Sequence, residues 1–314
     1  MKKPLIIITG PTACGKTDIS IELAKKINGE IISADSMQVY KYMNIGTAKP
    51  SKAEMCGIKH YLIDELYPDE EFNAMVFQSM AKKYIEEIYS KGKIPIIVGG
   101  TGFYINALVY DNNFMSTYDD GHIRRQLYDE AEKYGKCYMY EKLKKIDPEY
   151  AAIVHENNLK RVIRAIEYYI QTGEKMSEHN NDAKNKQSPY NVSFFILSMD
   201  RTKLYDRINQ RVDIMISNGL TEEVKKLIDM GYGSSIISMQ GIGYKELIPY
   251  INGKMELDEA INILKQSTRR FAKRQLTWFR QKTDGIWIDV TEKDKETTVR
   301  QIIGYLKNGG AAEI

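Results

Sequence analysis

The sequence predicts an α/β fold, a parallel sheet interrupted by a helical insertion, on three observations. Leu5 to Ile8 is an apolar run that reads as a buried strand; it breaks at Gly10-Pro11 and resumes as an amphipathic helix from about Lys16 to Ile27. Further short apolar runs alternate with helical patterns, as β–α–β units do. From Gly121 to about Thr172 the pattern is helical without a convincing strand. The chain therefore divides into a first core part at 1–115, an insertion at 116–190 and a second core part at 191–314.

The first strand–helix junction carries G-x-x-x-x-G-K-T, a phosphate-binding loop: Gly10, Pro11, Thr12, Ala13, Cys14, Gly15, Lys16 and Thr17. Glycines let successive backbone N–H groups turn toward phosphate oxygens, and the new helix adds the positive end of its dipole. Lys16 supplies a mobile cation, and the Thr17 hydroxyl can ligate Mg²⁺. A ligand with a di- or triphosphate is implied; its fate is not.

Glu30 to Ala34 reads as a second strand ending at Asp35, which should face the same crevice as the loop, because ligands of open α/β sheets sit beyond the carboxyl ends of strands. Position alone leaves Asp35 as a base, a Mg²⁺-shell ligand or an N-cap. Lys59 to Asp64 looks like a third strand, and Asn73 to Ser90 a helix stopped by Gly92. Ile94 to Val98 is another buried strand, followed by Gly99-Gly100-Thr101-Gly102, where backbone can approach a ligand.

Asp111 to Gly121 is polar and turn-rich, a natural boundary. In the insertion, Asp147-Pro148 offers an N-cap with proline at the first helical position. Leu159 to Ile170 repeats Val162, Ile163, Ile166 and Tyr169 as a buried stripe, with Lys160, Arg161 and Arg164 beside it and Gly173 as its stop. Gly173 to Asn191 reads as a mobile polar loop. Asn191 to Met199 returns to the sheet, and a helix from Asp200 to Asn218 sets Arg207 and Arg211 on one face, suited to clamp a pyrophosphate. Met239 to Glu246 places two glycines before a helix. A long helix from Leu257 to about Gln281 has a buried stripe of Leu264, Phe271, Ala272, Trp278 and Phe279; Lys265 to Lys282 holds seven basic residues and no acid. A one-signed face in a chain of net charge +3 favours a polyanion partner. Ile286 to Asp289 reads as a last strand and Thr291 to Leu306 as a closing helix.

Bulk properties narrow the class. The 314 residues, 43% of them hydrophobic, suffice for a sizeable core, and the small net charge excludes a globally basic scaffold. Cys14, Cys56 and Cys137 form no C-x-x-C pair, which argues against a disulfide framework or a zinc site and for a reducing compartment. No apolar run approaches the roughly 18 residues of a membrane span, and no signal-peptide layout opens the chain. There is no internal repeat. A cytoplasmic protein is expected, with no membrane partner.

Over almost its whole length the chain resembles the tRNA dimethylallyltransferases, also called tRNA isopentenyltransferases. The carriers are GPTACGKT at 10–17, DSMQVYKYMNIGTAKP at 35–50, HYLID at 60–64, GGTGFY at 99–104, LKRVIRAIE at 159–167, RINQRVDIMISNGL at 207–220, GIGYKE at 241–246 and AKRQLTWFR at 272–280. The phosphate loop is widely shared; the DSMQVY and AKRQLTW blocks together are specific. The resemblance implies a P-loop nucleotide-kinase-like parallel-sheet core and a helical insertion that grips the anticodon stem–loop. It implies transfer of the dimethylallyl group of dimethylallyl diphosphate to the exocyclic amine of the tRNA adenosine just 3′ of the anticodon, with Mg²⁺. Separately, a monomer is expected.

By the same resemblance, the backbone of Gly10 to Thr17 with Lys16 holds the diphosphate, Thr17 contacts Mg²⁺, Asp35 is the general base and Arg211 contacts diphosphate. Ser36, Met37 and Gln38 surround the target adenosine, and Thr101 contacts substrate. Lys160, Arg161, Val162, Ile163 and Arg164 match a segment that touches tRNA, as do Gln240, Gly241, Ile242, Gly243, Tyr244 and Lys245. So does the segment of Lys273, Arg274, Gln275, Trp278 and Arg280. Asn157-Asn158 departs from the family's Asn-Asp, and the absence of a zinc-finger extension suggests a bacterial type. Alternatives are a small-molecule or nucleoside kinase that binds ATP in the loop, an adenylate isopentenyltransferase acting on free AMP, ADP or ATP, and a non-enzymatic tRNA-binding protein.

Overall fold

The structure is a computed structural model that describes residues 2–111, 121–185 and 187–308. It divides into two compact units, Tyr110–Ser188 and the remainder of the chain. The first unit is a six-stranded, all-parallel sheet covered by helices. Its elements are β1 (Pro4–Thr9), α1 (Lys16–Lys26), β2 (Gly29–Ser33), β3 (His60–Tyr61), α2 (Ala74–Ser90), β4 (Ile94–Gly99) and α3 (Gly102–Val109). The second unit contains α4 (His122–Tyr134), α5 (Lys136–Ile146), α6 (Pro148–Ile153), α7 (Leu159–Thr172) and α8 (Met176–Asn185). The chain then completes the first unit with β5 (Asn191–Ser198), α9 (Arg201–Ser217), α10 (Leu220–Asp229), α11 (Ile248–Ile251), α12 (Leu257–Lys282), β6 (Ile286–Asp289) and α13 (Lys295–Asn308).

Strand order is β3-β2-β4-β1-β5-β6. The central strands carry continuous apolar runs because helices cover both faces, which is how parallel sheets are buried. Leu5, Ile7 and Ile8 of β1 and Ile96 and Ile97 of β4 are wholly inaccessible to solvent. Register brings three carboxyl ends to one edge: Thr9 lies opposite Gly99, and Ser33 opposite Val98. Gly10, Asp35 and Gly100 follow directly, so three loops meet there.

The third strand is shorter than Lys59 to Asp64, because Leu62 (φ 60°) and Asp64 (φ 57°) adopt left-handed backbone that ends the pairing. A further correction falls in the second unit. The polar segment after Gly173 forms α8 instead of a mobile loop: the Ser177 amide donates to Asp147 Oδ2 at 2.9 Å, and Met176 packs on the unit's core. Asp147 also caps α6 through Oδ1 to the Tyr150 amide at 2.9 Å, with Pro148 first in the helix. Val162, Ile163 and Ile166 are buried as the stripe required, but Tyr169 faces outward and Tyr168 replaces it. Most of the turn-rich boundary, residues 112–120, lies outside the described residues.

Candidate active site

A cavity of about 640 Å³ opens where the loops meet at the carboxyl edge of the sheet. The phosphate loop supplies Thr12, Ala13, Gly15, Lys16 and Thr17, the end of β2 supplies Asp35 and Gln38, and α9 supplies Arg207 and Arg211. Gln275 and Phe271 of α12 and Gly99 and Gly100 complete that side. Every lining residue belongs to the first unit.

The loop conformation follows from its residues. Gly10 has φ +146°, and a Cβ there would fall 2.6 Å from the Leu197 carbonyl oxygen, so only glycine lets the loop lie against β5. Ala13 (φ 66°) and Gly15 (φ 91°) turn the chain into α1, whose N-terminal end faces the cavity. Lys16 Nζ folds back to donate to the carbonyls of Gly10 (3.1 Å) and Pro11 (2.8 Å). Burial pushes the Lys16 ammonium below its usual range; Arg211 adds to this, and Asp35 opposes it. Burial likewise lowers Arg211, again opposed by Asp35, although a guanidinium stays charged at neutral pH. Arg211 donates to the Thr12 hydroxyl at 3.4 Å. The cavity wall carries Lys16, Lys49, Arg207 and Arg211 against Asp18, Asp35 and Glu54, an excess of positive charge.

Asp35 uses one oxygen structurally: Oδ1 accepts from the Met37 amide at 2.8 Å, fixing the turn after β2. Its Oδ2 has no hydrogen-bond partner among the described residues. No helix begins after Asp35, so it caps a turn and not a helix, and the same carboxylate keeps one oxygen without a partner. Thr101 stands behind it: its hydroxyl accepts from the Ser36 amide at 3.2 Å, and its own amide donates to Ala34. Gln38 accepts from Ser33 at 2.9 Å and points its amide toward the carbonyls of Thr47 and Ala48. Gly10, Pro11, Cys14, Ser36, Met37 and Thr101 are not in the cavity wall; Cys14 is buried beneath the loop.

Several residues assigned to tRNA contact are turned inward. Gln275 is buried, accepting from the Thr12 amide at 2.9 Å and donating to the Gly100 carbonyl at 3.0 Å, so it ties the phosphate loop to the glycine-rich turn. That explains the glycines: a Cβ on Gly100 would lie 2.0 Å from Gln275, and one on Gly102 2.2 Å from Trp278. They admit these protein side chains, while Gly99 and Gly100 also line the cavity. The signal for Gln275 was present, since its spacing of three from Ala272 and four from Phe279 puts it in the buried stripe. Val162 and Ile163 lie in the core of the second unit. Tyr244 is fully buried, with its hydroxyl on Glu223, and Gly243 is buried beside it.

The basic stretch of α12 is also divided. Lys265 pairs with Asp213 of α9 at 2.6 Å and Arg269 donates to Asn209 at 2.5 Å, so both face α9. Arg270, Lys273, Arg274 and Arg280 are exposed, as are Gln240 and Lys245 on the glycine turn. Gly241 and Ile242 are half-buried, the former packed against Met37. In the second unit Lys160, Arg161 and Arg164 are exposed, and Arg164 joins Arg124 on the buried carboxylate of Glu167.

The family profile described as IPP transferase matches residues 38–282. The chain belongs to the IPP transferase family. It is 53% identical to a tRNA dimethylallyltransferase of Acetivibrio thermocellus over 96% of each chain. A solved full-length tRNA isopentenylpyrophosphate transferase from Bacillus halodurans is similar at 45% identity and TM-score 0.74, covering 98% of this chain and 96% of that one. A solved eukaryotic dimethylallyltransferase acting on tRNA matches at 33% identity and TM-score 0.84, covering 98% and 79%. The kinase-like parallel core is thus the core of this family, and the relatives named do not favour the kinase and free-nucleotide alternatives.

Mg²⁺ is compatible with the donor set. No cluster of three or more His, Cys, Asp or Glu suited to a metal occurs among the described residues. Mg²⁺ keeps several waters and is commonly held by one or two protein oxygens together with substrate phosphates. The Thr17 hydroxyl makes no hydrogen bond among the described residues and lines the cavity beside Lys16.

Proposed function

We propose that this IPP transferase moves the dimethylallyl group of dimethylallyl diphosphate onto the exocyclic amine of the tRNA adenosine 3′ of the anticodon, releasing diphosphate. The observation that carries the reading is one cavity holding Lys16 and Arg211, both desolvated cations, together with the open Oδ2 of Asp35. The diphosphate rests on the phosphate loop, where Lys16 gives up its carbonyl partners and takes phosphate oxygens. An adenine amine is a weak nucleophile, because its lone pair is delocalised into the ring. As its nitrogen bonds the allylic carbon, Asp35 Oδ2 accepts the proton and the carbon–oxygen bond to diphosphate breaks. Lys16 and Arg211 stabilise the charge that collects on the leaving group. Thr101 holds the turn that aims Asp35. Reaching the cavity requires the adenosine to leave its stack.

The Thr17 hydroxyl would help to hold Mg²⁺, which would supply positive charge to offset that of the leaving group. The exposed cations of α12, and separately those of the second unit, are candidate contacts for the tRNA backbone. Free Cys14, Cys56 and Cys137 suit a reducing cytoplasm. Among the described residues no helix is long and apolar enough to cross a membrane.

The test is incubation with labelled dimethylallyl diphosphate and either tRNA or free AMP, with ATP consumption followed in parallel. Label entering tRNA alone, without ATP turnover, is expected. Label on AMP, or phosphate transfer from ATP, would overturn the reading.

A further inference from the structure

The segment from Asn44 to Pro50 contributes residues to the cavity wall, and a carboxylate outside the reaction holds it. Glu223, in the first turn of α10, accepts from three successive backbone amides: Asn44 at 2.9 Å, Ile45 at 2.8 Å and Gly46 at 3.0 Å. Consecutive amides converging on one anion form a nest, the arrangement proteins otherwise offer to phosphate. Tyr244 adds a fourth donor, its hydroxyl 2.8 Å from Glu223 Oε1. Burial raises the Tyr244 pKa well above its usual value, with the Glu223 charge acting in the same sense, so the hydroxyl keeps its proton and donates.

The fit is close on the other side too. A Cβ on Gly46 would stand 2.6 Å from the Tyr244 ring, so the ring packs flush against the bend that forms the nest. The same segment carries left-handed backbone at Ala48 (φ 47°). Lys49 secures its far end, donating to Tyr40 O at 2.7 Å and Asp64 at 2.6 Å. Glu223 itself does not line the cavity, whereas Asn44, Ile45, Thr47, Ala48 and Lys49 do.

We propose that Glu223, held by Tyr244, is a positioning residue: it fills an anion nest in the 44–46 backbone and thereby sets the wall of the donor pocket. The inference rests on the reading that the allylic diphosphate occupies this cavity. Without the carboxylate, three amides point at one another with nothing to accept from them, and the wall must relax away from the donor.

The experiment compares steady-state donor KM, kcat, tRNA affinity and melting temperature for Glu223→Gln, Glu223→Ala, Tyr244→Phe and Lys16→Ala. Glu223→Gln is expected to raise donor KM roughly tenfold, the scale set by removing a charged hydrogen bond, with kcat and tRNA affinity within about threefold. Tyr244→Phe, which keeps the ring on Gly46, should move donor KM in the same direction by less. Added acetate should lower the donor KM of Glu223→Ala, since it can enter the vacated nest, and should leave wild type unchanged. A merely structural carboxylate would lower the melting temperature without acetate rescue or a selective donor effect, and that result overturns the proposal. If Glu223→Gln does not fold, Tyr244→Phe and the acetate arm decide. If Lys16→Ala weakens the donor while the Glu223 and Tyr244 variants do not, the positioning role fails alone. If none of the variants affects the donor, the cavity assignment fails and the proposal with it.

Discussion

Lys16 shows how much a single side chain can be made to carry. Its ammonium rests on two backbone carbonyls in a partly desolvated site, and a diphosphate offers it charged partners instead. Lys16→Ala should therefore cost on the order of 2–4 kcal/mol in the transition state, read as a fall in kcat/KM of about 30- to 10³-fold. An unchanged kcat/KM would remove the loop from the reaction. Gln275 is the second residue-scale case. Gln275→Ala frees the Thr12 amide and the Gly100 carbonyl and opens space beside Gly100, so stability should fall by about 1–3 kcal/mol in a denaturant melt, together with weaker donor binding. A melt unchanged within error would deny the bridge. The sequence showed the phosphate loop because its spacing is itself the mechanism. It did not show what Gln275 does, because a polar residue inside a basic block invites a surface reading. Only its place in the stripe of Ala272 and Phe279 says otherwise.

Helix α12 has the span its sequence predicts, but its basic residues do not form a single face. Seven basic residues without an acid looked like one face, yet periodicity cannot tell which neighbours lie alongside, and α9 supplies Asp213 and Asn209 to two of them. Lys273→Ala or Arg274→Ala should weaken tRNA binding. Either should also reduce the slope of log affinity against log salt by roughly one or slightly less for each phosphate no longer neutralised. Lys265→Ala and Arg269→Ala should leave that slope unchanged and show their effect in stability instead. Equal slopes for both pairs would mean that the division between faces is wrong. Other elements were legible to within a residue or two where caps were explicit: Asn73 accepts from the amides of Met75 and Val76, and Asp200 from those of Thr202 and Lys203. The third strand and α8 were not. Left-handed backbone at Leu62 and Asp64 leaves no mark on hydrophobic pattern, and α8 depends on Asp147, some 30 residues away in sequence.

At the scale of the molecule, the chain leaves its sheet at Val109 and returns at Pro189, and each unit has its own core. In the second unit the buried carboxylate of Glu167 takes a two-pronged contact from Arg124, at 2.9 to 3.2 Å, and a third from Arg164. Glu167→Ala should lower that unit's stability by about 1–3 kcal/mol, seen as faster amide exchange across 122–181 while the sheet of the first unit stays protected. Faster exchange in both units would show that they do not unfold independently. The proposed chemistry as a whole stands on Asp35: one oxygen holds a turn, and the other is the one proposed to take a proton. Asparagine at this position keeps an acceptor for the Met37 amide and abolishes the base. The decisive measurement is single-turnover dimethylallyl transfer by Asp35→Asn with saturating tRNA and donor. A chemical step slowed by about 10²–10⁴-fold, with tRNA binding and melting temperature intact, is the expected result, and a near-wild-type rate would contradict it.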